Sequence, residues 1–270
     1  MLDIYLVQME VTEGQKPLNF GKVRQLTGSI RKNAFDPIPG LIVLPEMFAT
    51  GYLPLHPEAV AEDFSTYSSG ETSTFLSRLA MDTGCTIMGG GIAFAPQAAG
   101  PRPKLLNHTS IYKPGSQVES AHYDKCHPFF MEQAKFTKGE SINLFKITHW
   151  NIAPTICFDL RFPELYRDAV KQGAHVITVQ AAWPAERIAH WKTLLQARAI
   201  ENQVYIAAVN CVSATKYGGC SMIIDPYGNI MESANGIQEG IVHARVIANE
   251  QTLYRHKFPV LEGIVPPDKL

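Results

Sequence analysis

Three segments of the sequence place reactive side chains just after candidate buried strands. Glu46 follows the apolar run 41–44. Lys125 ends a candidate strand, and Cys157 follows the largely apolar stretch 152–156. A thiol is a strong nucleophile once deprotonated, a carboxylate can take its proton, and an ammonium group can stabilise a charged oxygen. If the fold brings them together, these residue types predict nucleophilic catalysis by the thiol, with a base and an oxyanion donor beside it.

Each of the three residues also has a plain structural interpretation. Glutamate prefers the surface, so Glu46 could cap a helix or face solvent. Lys125 could be solvated at a strand end, and Cys157 could be a small core hydrophobe, because free cysteine is among the most buried residue types. The core interpretation suits Cys157 poorly, since Asp159 and Arg161 place charge beside it. Taken one segment at a time, the sequence leaves these alternatives open.

In this order and spacing, the three segments resemble the nitrilase superfamily of carbon–nitrogen hydrolases. The matching motifs are LPEMF at 44–48, YDKCHPF at 123–129 and CFDLRFPELYR at 157–167. The resemblance continues in AAWP at 181–184, in HWKTLLQARAIENQVYIAAVN at 190–210 and in DPYGNI at 225–230. It therefore covers nearly the whole chain, and accidental agreement of all these segments is improbable.

The resemblance implies a Glu–Lys–Cys triad. Cys157 would attack the amide carbon and form a thioester, with Glu46 as the proton shuttle. Lys125 and the backbone N–H of Phe158 would hold the oxyanion. The second active-site glutamate of the family matches Glu132, where an E-x-x-x-F-x-x-G pattern begins. This chemistry requires no metal and no organic cofactor.

Within the superfamily, the segments 157–167 and 183–203 resemble the ω-amidase branch. Enzymes of that branch hydrolyse the terminal amide of short dicarboxylic acid monoamides such as 2-oxoglutaramate. Such a substrate carries a distal carboxylate, which a cation in the pocket would compensate. The resemblance thus implies an amidase that releases ammonia from a small linear amide.

Arg161 is the nearest candidate for that cation, ahead of Arg187 and Lys192. The alternative for Arg161 is a structural ion pair with Glu164 or Asp159. The residues predicted to bind the substrate are Arg161, Trp183 and Phe129.

Other functions share some of these features. Within the same fold, the rivals are an N-carbamoyl amine or amino-acid hydrolase, a deaminated-glutathione amidase and a nitrilase. A non-catalytic ligand-binding protein of this fold would be expected to have lost a triad residue, and all three are present. A papain-like protease would need a Cys–His pair, for which His127 and His190 are candidates, but the Glu and Lys segments do not support it.

Composition excludes several other classes of protein. The 270 residues contain 24 Lys and Arg against 25 Asp and Glu, so no basic surface for nucleic acid is expected. Asp3 interrupts the apolar start of the chain, and no apolar run approaches the roughly 18 residues of a membrane span, so neither a signal peptide nor a membrane partner is expected. The five cysteines form no C-x-x-C pair, which predicts free thiols in a reducing cytoplasm.

Candidate strands and helices alternate along the chain, but candidate hairpins interrupt the alternation. This pattern favours an α/β protein with mixed sheets and helices on the outer faces. The resemblance implies a four-layer α-β-β-α sandwich, formed here by one domain over residues 1–270 and paired as a homodimer. The helix at 162–170 and a proline-bearing, extended tail at about 258–270 are the predicted interface elements.

Overall fold

Two six-stranded mixed sheets carry most of the chain in the computed structural model, which describes residues 1–32, 38–66, 70–95 and 104–263. The first sheet contains β1 (Leu2–Gln8), β2 (Gly40–Val43), β3 (Thr86–Phe94), β4 (Leu105–Tyr112), β5 (Ala121–Asp124) and β12 (Gly240–Val246). The second contains β6 (Phe145–Ile147), β7 (Trp150–Ile156), β8 (Val176–Ala181), β9 (Tyr205–Asn210), β10 (Met222–Ile224) and β11 (Ile230–Ser233).

The two sheets repeat one series of strand pairings. Their spatial orders are β12-β1-β2-β3-β4-β5 and β6-β7-β8-β9-β10-β11. In each sheet the second, third and fourth strands are parallel, and the remaining pairs are antiparallel. The mixed sheets predicted from the hairpins are thus confirmed. Parallel strands end at the same edge of a sheet, so residues that follow β7 and β8 lie together at one edge of the second sheet. Residues that follow β2, in the first sheet, can meet them where the two sheets lie against each other.

The period-two alternation of the strands builds a dry layer between the sheets. Leu2, Ile4 and Leu6 of β1 join one core cluster with Tyr205 and Val209 of β9, from the other sheet. The intervening side chains point outwards, towards the helices. Each sheet therefore buries both of its faces, which explains the continuous apolar runs in the central strands.

Helices cover both outer faces and complete the α-β-β-α sandwich. On the first sheet lie α1 (Lys16–Thr27) and α2 (Glu71–Thr83), whose Phe20 and Phe75 rings stack 4.3 Å apart. On the second lie α3 (Pro163–Lys171) and α4 (Ile188–Asn202), which pack Tyr166 and Leu195 into one cluster with Ile177 of β8. Four layers were expected, and four layers are present.

Two expectations about interface elements need correction. The apolar residues of α3, including Leu165 and Val170, are buried in this chain's own core and do not form an exposed stripe. A short 3-10 helix over Val260–Gly263 interrupts the predicted extended tail, and residues 264–270 lie outside the described residues. The helix α5 (Ala248–Lys257) precedes this turn. Among the helices in the described ranges, none combines the length and apolar character that a membrane crossing requires.

A buried charged cluster joins β4 to β5 on the first sheet. His108 is 6% exposed and lies between two carboxylates, with its Nδ1 2.7 Å from Asp124 and its Nε2 3.0 Å from Glu119. Ser110 Oγ lies 2.9 Å from the same Nε2, and the His122 ring stacks 5.3 Å away. Burial alone would lower the pKa of His108, but the hydrogen bonds to Asp124 and Glu119 outweigh it and raise the pKa to about 9.

This cluster predicts a loss of stability in mild alkali. The folded pKa of His108, about 9, exceeds the ordinary value of 6.5, so its stabilising effect is full below pH 6.5 and disappears as the pH rises through 9. The difference corresponds to about 3 kcal/mol of unfolding free energy. Urea unfolding measured from pH 6 to pH 10 should show this decline in the wild type, but not in His108→Gln. The exposed His256→Gln is the control and should keep it; an unchanged pH profile in His108→Gln would contradict the assignment.

Candidate active site

Four of the predicted residues lie close together, at or just beyond the ends of strands. Glu46 lies just beyond β2 and Lys125 directly follows β5, so both come from the first sheet. Cys157 directly follows β7 of the second sheet, and Glu132 lies in the loop after Lys125. The segments therefore meet where the two sheets face each other, as their positions beside apolar runs suggested.

Lys125 lies between two buried carboxylates. Its Nζ is 2.9 Å from Glu46 Oε1 and 2.8 Å from Glu132 Oε2. Lys125 is 1% exposed, Glu46 3% and Glu132 0%. Burial alone would lower the pKa of Lys125, but the charges of the two carboxylates outweigh it and raise the pKa well above its usual range. The amine therefore remains a cation, which excludes the solvated-lysine interpretation.

Asn107 is a site residue that the sequence analysis missed. Its amide nitrogen donates to Glu46 Oε1 at 2.7 Å and to Glu132 Oε1 at 2.8 Å, and its backbone oxygen accepts from the Lys125 N–H at 2.9 Å. The Glu46 and Glu132 carboxylates both accept from Asn107 and from Lys125. These shared donors offset the repulsion between the two negative charges. Burial, reinforced by the charge of Glu46, raises the pKa of Glu132 against the opposing effect of Lys125. A polar residue inside the otherwise apolar start of β4 was the available signal.

Asp159 fixes the turn that carries Cys157. This carboxylate is fully buried and accepts hydrogen bonds from the Ile156 N–H at 2.9 Å and the Tyr123 hydroxyl at 2.7 Å. Its other oxygen accepts from the His127 N–H at 2.9 Å. Cys157 itself has a φ of 47°, a left-handed conformation that costs about 1–3 kcal/mol in a non-glycine residue. Asp159 thus ties the cysteine turn to the lysine segment and maintains the strained backbone.

The Cys157 thiol is protonated at rest. Burial raises its pKa well above the usual range, the charge of Glu46 raises it further, and Lys125 and the backbone N–H of Ala182 oppose this. Desolvation thus outweighs the effect of the neighbouring cation and N–H donor on the thiol. The Ala182 N–H also donates to Glu46 Oε2 at 3.0 Å. A base is needed to generate the thiolate.

Cys157 opens onto a pocket of about 400 Å³ of empty space, including its mouth. The three predicted substrate-binding residues, Arg161, Trp183 and Phe129, line this pocket, and so does Phe158, which was predicted to hold the oxyanion. The lining residues are Tyr52, Phe129, Cys157, Phe158, Arg161, Ala182, Trp183, Pro184 and Arg187. Lys192 is exposed and does not belong to this lining.

Arg161 lies against the pocket rather than in an ion pair. Its guanidinium carbon is 4.9 Å from the Trp183 ring centroid, and within the described part of the chain it makes no ion pair. Asp159 instead contacts His127, whose ring stacks on Phe162 at 3.7 Å. This corrects the structural alternative for Arg161.

Among the described residues, neither a protease-like Cys–His pair nor a metal site accompanies this pocket. His127 is engaged by Asp159, and the nearest contact of His190 is to Arg161 at 3.4 Å, so among the described residues neither histidine hydrogen-bonds Cys157. Residues 1–32, 38–66, 70–95 and 104–263 contain no cluster of His, Cys, Asp and Glu that could hold a metal ion.

Comparison with known proteins places this geometry in a family. The carbon–nitrogen hydrolase model matches residues 4–255. A 2-oxoglutaramate amidase from Bacillus subtilis is 30% identical over 266 residues, with 97% of this chain and 96% of that protein covered. A deaminated glutathione amidase from Synechocystis is 34% identical over 238 residues, with 82% of this chain and 85% of that protein covered.

The fold has a solved counterpart of nearly the same length. The crystal structure of XC1258 from Xanthomonas campestris, a CN-hydrolase superfamily protein with an arsenic adduct in its active site, superposes with a TM-score of 0.84. It is 28% identical and covers 98% of each chain. The four-layer architecture is thus shared over the whole length of both proteins.

Proposed function

Because the chain belongs to the carbon–nitrogen hydrolase family, we propose that it is an amidase of the ω-amidase type. Its substrates are short dicarboxylic acid monoamides such as 2-oxoglutaramate. The observation that carries the proposal is the buried Lys125 ammonium, held between Glu46 and Glu132, with all three charges acting on the Cys157 thiol. A structural protein would gain little from so costly a burial of three charges.

In this mechanism Cys157 attacks the amide carbon while Glu46 takes the thiol proton. Concerted transfer suits a thiol whose pKa burial raises. The new S–C bond yields a tetrahedral oxyanion. Glu46 then protonates the amide nitrogen, ammonia leaves and a thioester remains. Finally Glu46 deprotonates a water molecule, and its oxygen attacks the thioester carbon. The C–S bond breaks, the carboxylic acid leaves, and Glu46 returns the proton to the Cys157 sulfur.

Lys125 and the backbone N–H of Phe158 stabilise the oxyanion. An ammonium group has three N–H donors, and Glu46 and Glu132 occupy two of them. The amine also lies 3.1 Å from the second oxygen of Glu132, so a donor reaches the oxyanion when the two Glu132 oxygens share one N–H. Removing one such donor typically costs about 100- to 1,000-fold in turnover. Glu132 and Asn107 position the amine rather than react.

The residues around the pocket favour a substrate with an anionic end. Arg161 lines the pocket without a carboxylate partner among the described residues, whereas Phe129 and Trp183 supply apolar walls. A guanidinium in a partly desolvated site stabilises a carboxylate through charge-assisted hydrogen bonds. This supports monoamides over uncharged amides and nitriles.

A substrate panel tests the function. We expect ammonia release from 2-oxoglutaramate and succinamate, with kcat/KM about 10- to 100-fold above that of the neutral diamide succinamide, since a hydrogen bond to a charged group is worth ~1.5–3 kcal/mol. The panel also contains deaminated glutathione, N-carbamoyl amino acids, aliphatic nitriles and a peptide. Clear turnover of one of these, with neither monoamide hydrolysed, would contradict the ω-amidase assignment.

Two properties of the intact protein complete the proposal. All five cysteines are free thiols, which supports a reducing compartment such as the cytoplasm. Association into a homodimer is the finer expectation from the family resemblance, and sedimentation at micromolar concentration would detect it.

A further inference from the structure

A second guanidinium lines the pocket beside that of Arg161. Arg187 ends the short 3-10 turn Ala185–Arg187 that precedes α4, whereas Arg161 ends the turn that begins at Cys157. The Arg187 guanidinium carbon lies 5.8 Å from the Phe129 ring centroid. Burial lowers the pKa of Arg161, and the charge of Arg187 lowers it further, so the two cations interact. Two elements distant in sequence thus bring like charges to one small cavity.

Trp183 organises both arginines. The ring of this residue, which is 2% exposed, faces the Arg161 guanidinium, and its Nε1–H donates to the Arg187 backbone oxygen at 2.8 Å. Asn210 anchors Trp183 in turn, because its Oδ1 accepts from the Trp183 N–H at 2.6 Å. One buried aromatic residue therefore contacts the Arg161 guanidinium and holds the backbone that carries Arg187.

The protein compensates Arg187 only weakly. Its ion pair with Glu186 is 2.8 Å long, but the Glu186 side chain is 73% exposed, and such solvated pairs stabilise little. The Arg187 Nε is buried and has no hydrogen-bond partner among the described residues. A buried N–H without an acceptor is rare in a native structure and points to a ligand that supplies one.

We propose that Arg187 is a specificity-determining residue that binds, together with Arg161, the distal carboxylate of the substrate. The inference rests on the proposed function and deepens it. A carboxylate has two oxygens and about four acceptor positions, so it can accept from two guanidiniums at once. An uncharged end group would leave two cations facing each other across the pocket. The pair therefore selects for anionic amides at the binding step, whereas Cys157 and Lys125 act on the amide at the other end.

Two nearly isosteric substrates isolate this effect. Succinamate and succinamide differ at the distal end only by a carboxylate in place of a neutral amide. Arg187→Met is expected to raise KM for succinamate about 10- to 100-fold and to change kcat and the kinetics of succinamide by less than about threefold. Arg187→Lys keeps the positive charge but loses the planar guanidinium, so its KM for succinamate should lie between those of the wild type and Arg187→Met. Lys192→Met, which removes an exposed charge from α4, is the matched control and should behave as the wild type.

The outcomes separate this inference from the function itself. If the wild type does not prefer succinamate over succinamide, the ω-amidase proposal fails. If it does, but Arg187→Met leaves KM for succinamate unchanged or impairs both substrates equally, Arg187 does not bind the carboxylate. The double variant Arg161→Met/Arg187→Met gives a second readout. If both residues bind one carboxylate, the increase in KM for succinamate in the double variant should be smaller than the product of the two single-variant increases.

Discussion

Replacing Cys157 with alanine is expected to reduce ammonia release from succinamate by at least about 10⁴-fold, since Cys157 is the only thiol among the described residues that line the pocket. The free energy of unfolding should change little. Alanine has the same left-handed backbone cost as cysteine at a φ of 47°, and the hydrogen bonds of Asp159 to this turn remain. A coupled ammonia assay measures turnover, and urea unfolding measures stability.

Cys126 provides the matched control. It is half-buried and directly follows Lys125, yet burial raises the pKa of its thiol to about 11 and it does not line the Cys157 pocket. Cys126→Ala should retain wild-type turnover within about threefold, in keeping with a side chain outside reactive contacts. A slow substrate trapped by acid quench should leave an acyl adduct on Cys157. Turnover by Cys157→Ala near the wild-type rate, or an adduct on Cys126, would move the chemistry to another residue.

The sequence singled out Glu46, Lys125 and Cys157 because each follows a strand, whereas Glu132 came from the family resemblance alone. A buried strand has a clear apolar signature, and polar residues at its end are held at the edge of the sheet. Glu46 and Cys157 are of this kind. The convergence of residues 111 positions apart came from the family resemblance, since no local pattern specifies which strands pair.

Other parts of the site and the fold left no such signature. Asn107 is the first of four consecutive polar residues inside β4, so a polar side chain in that strand does not by itself identify Asn107 as the functional one. Arg187 ranked below Arg161 because its distance in sequence from Cys157 conceals its place in the pocket. The helix α5 was missed because Gln251 is its buried residue and donates to backbone oxygens, so the helix docks through hydrogen bonds rather than an apolar face.

Lys125→Met is expected to lower both activity and stability, which makes it the most informative second variant. Turnover should fall at least about 100- to 1,000-fold with the loss of one oxyanion donor. Removing one partner of a buried ion pair costs about 3–5 kcal/mol, because Glu46 and Glu132 then remain as uncompensated charges. The exposed Lys138→Met, in the same segment, is the control and should change neither quantity appreciably.

The destabilisation of Lys125→Met should depend on pH in a defined direction. Burial already raises the pKa of Glu132, and loss of the cation raises it further above the unfolded value. A carboxyl group with a raised folded pKa stabilises the fold at low pH and loses that contribution as the pH rises, so the variant should recover stability as the pH falls towards the ordinary carboxyl pKa of 4.5.

The double variant Lys125→Met/Glu132→Gln separates stability from catalysis. Glutamine keeps the shape of Glu132 and removes one of the two carboxylate charges that lost their cation. The free energy of unfolding at pH 7 should therefore return towards the wild-type value. Turnover should not return, because the oxyanion donor is still missing. If turnover recovered together with stability, Lys125 would serve only to hold the fold, and another donor would have to stabilise the oxyanion.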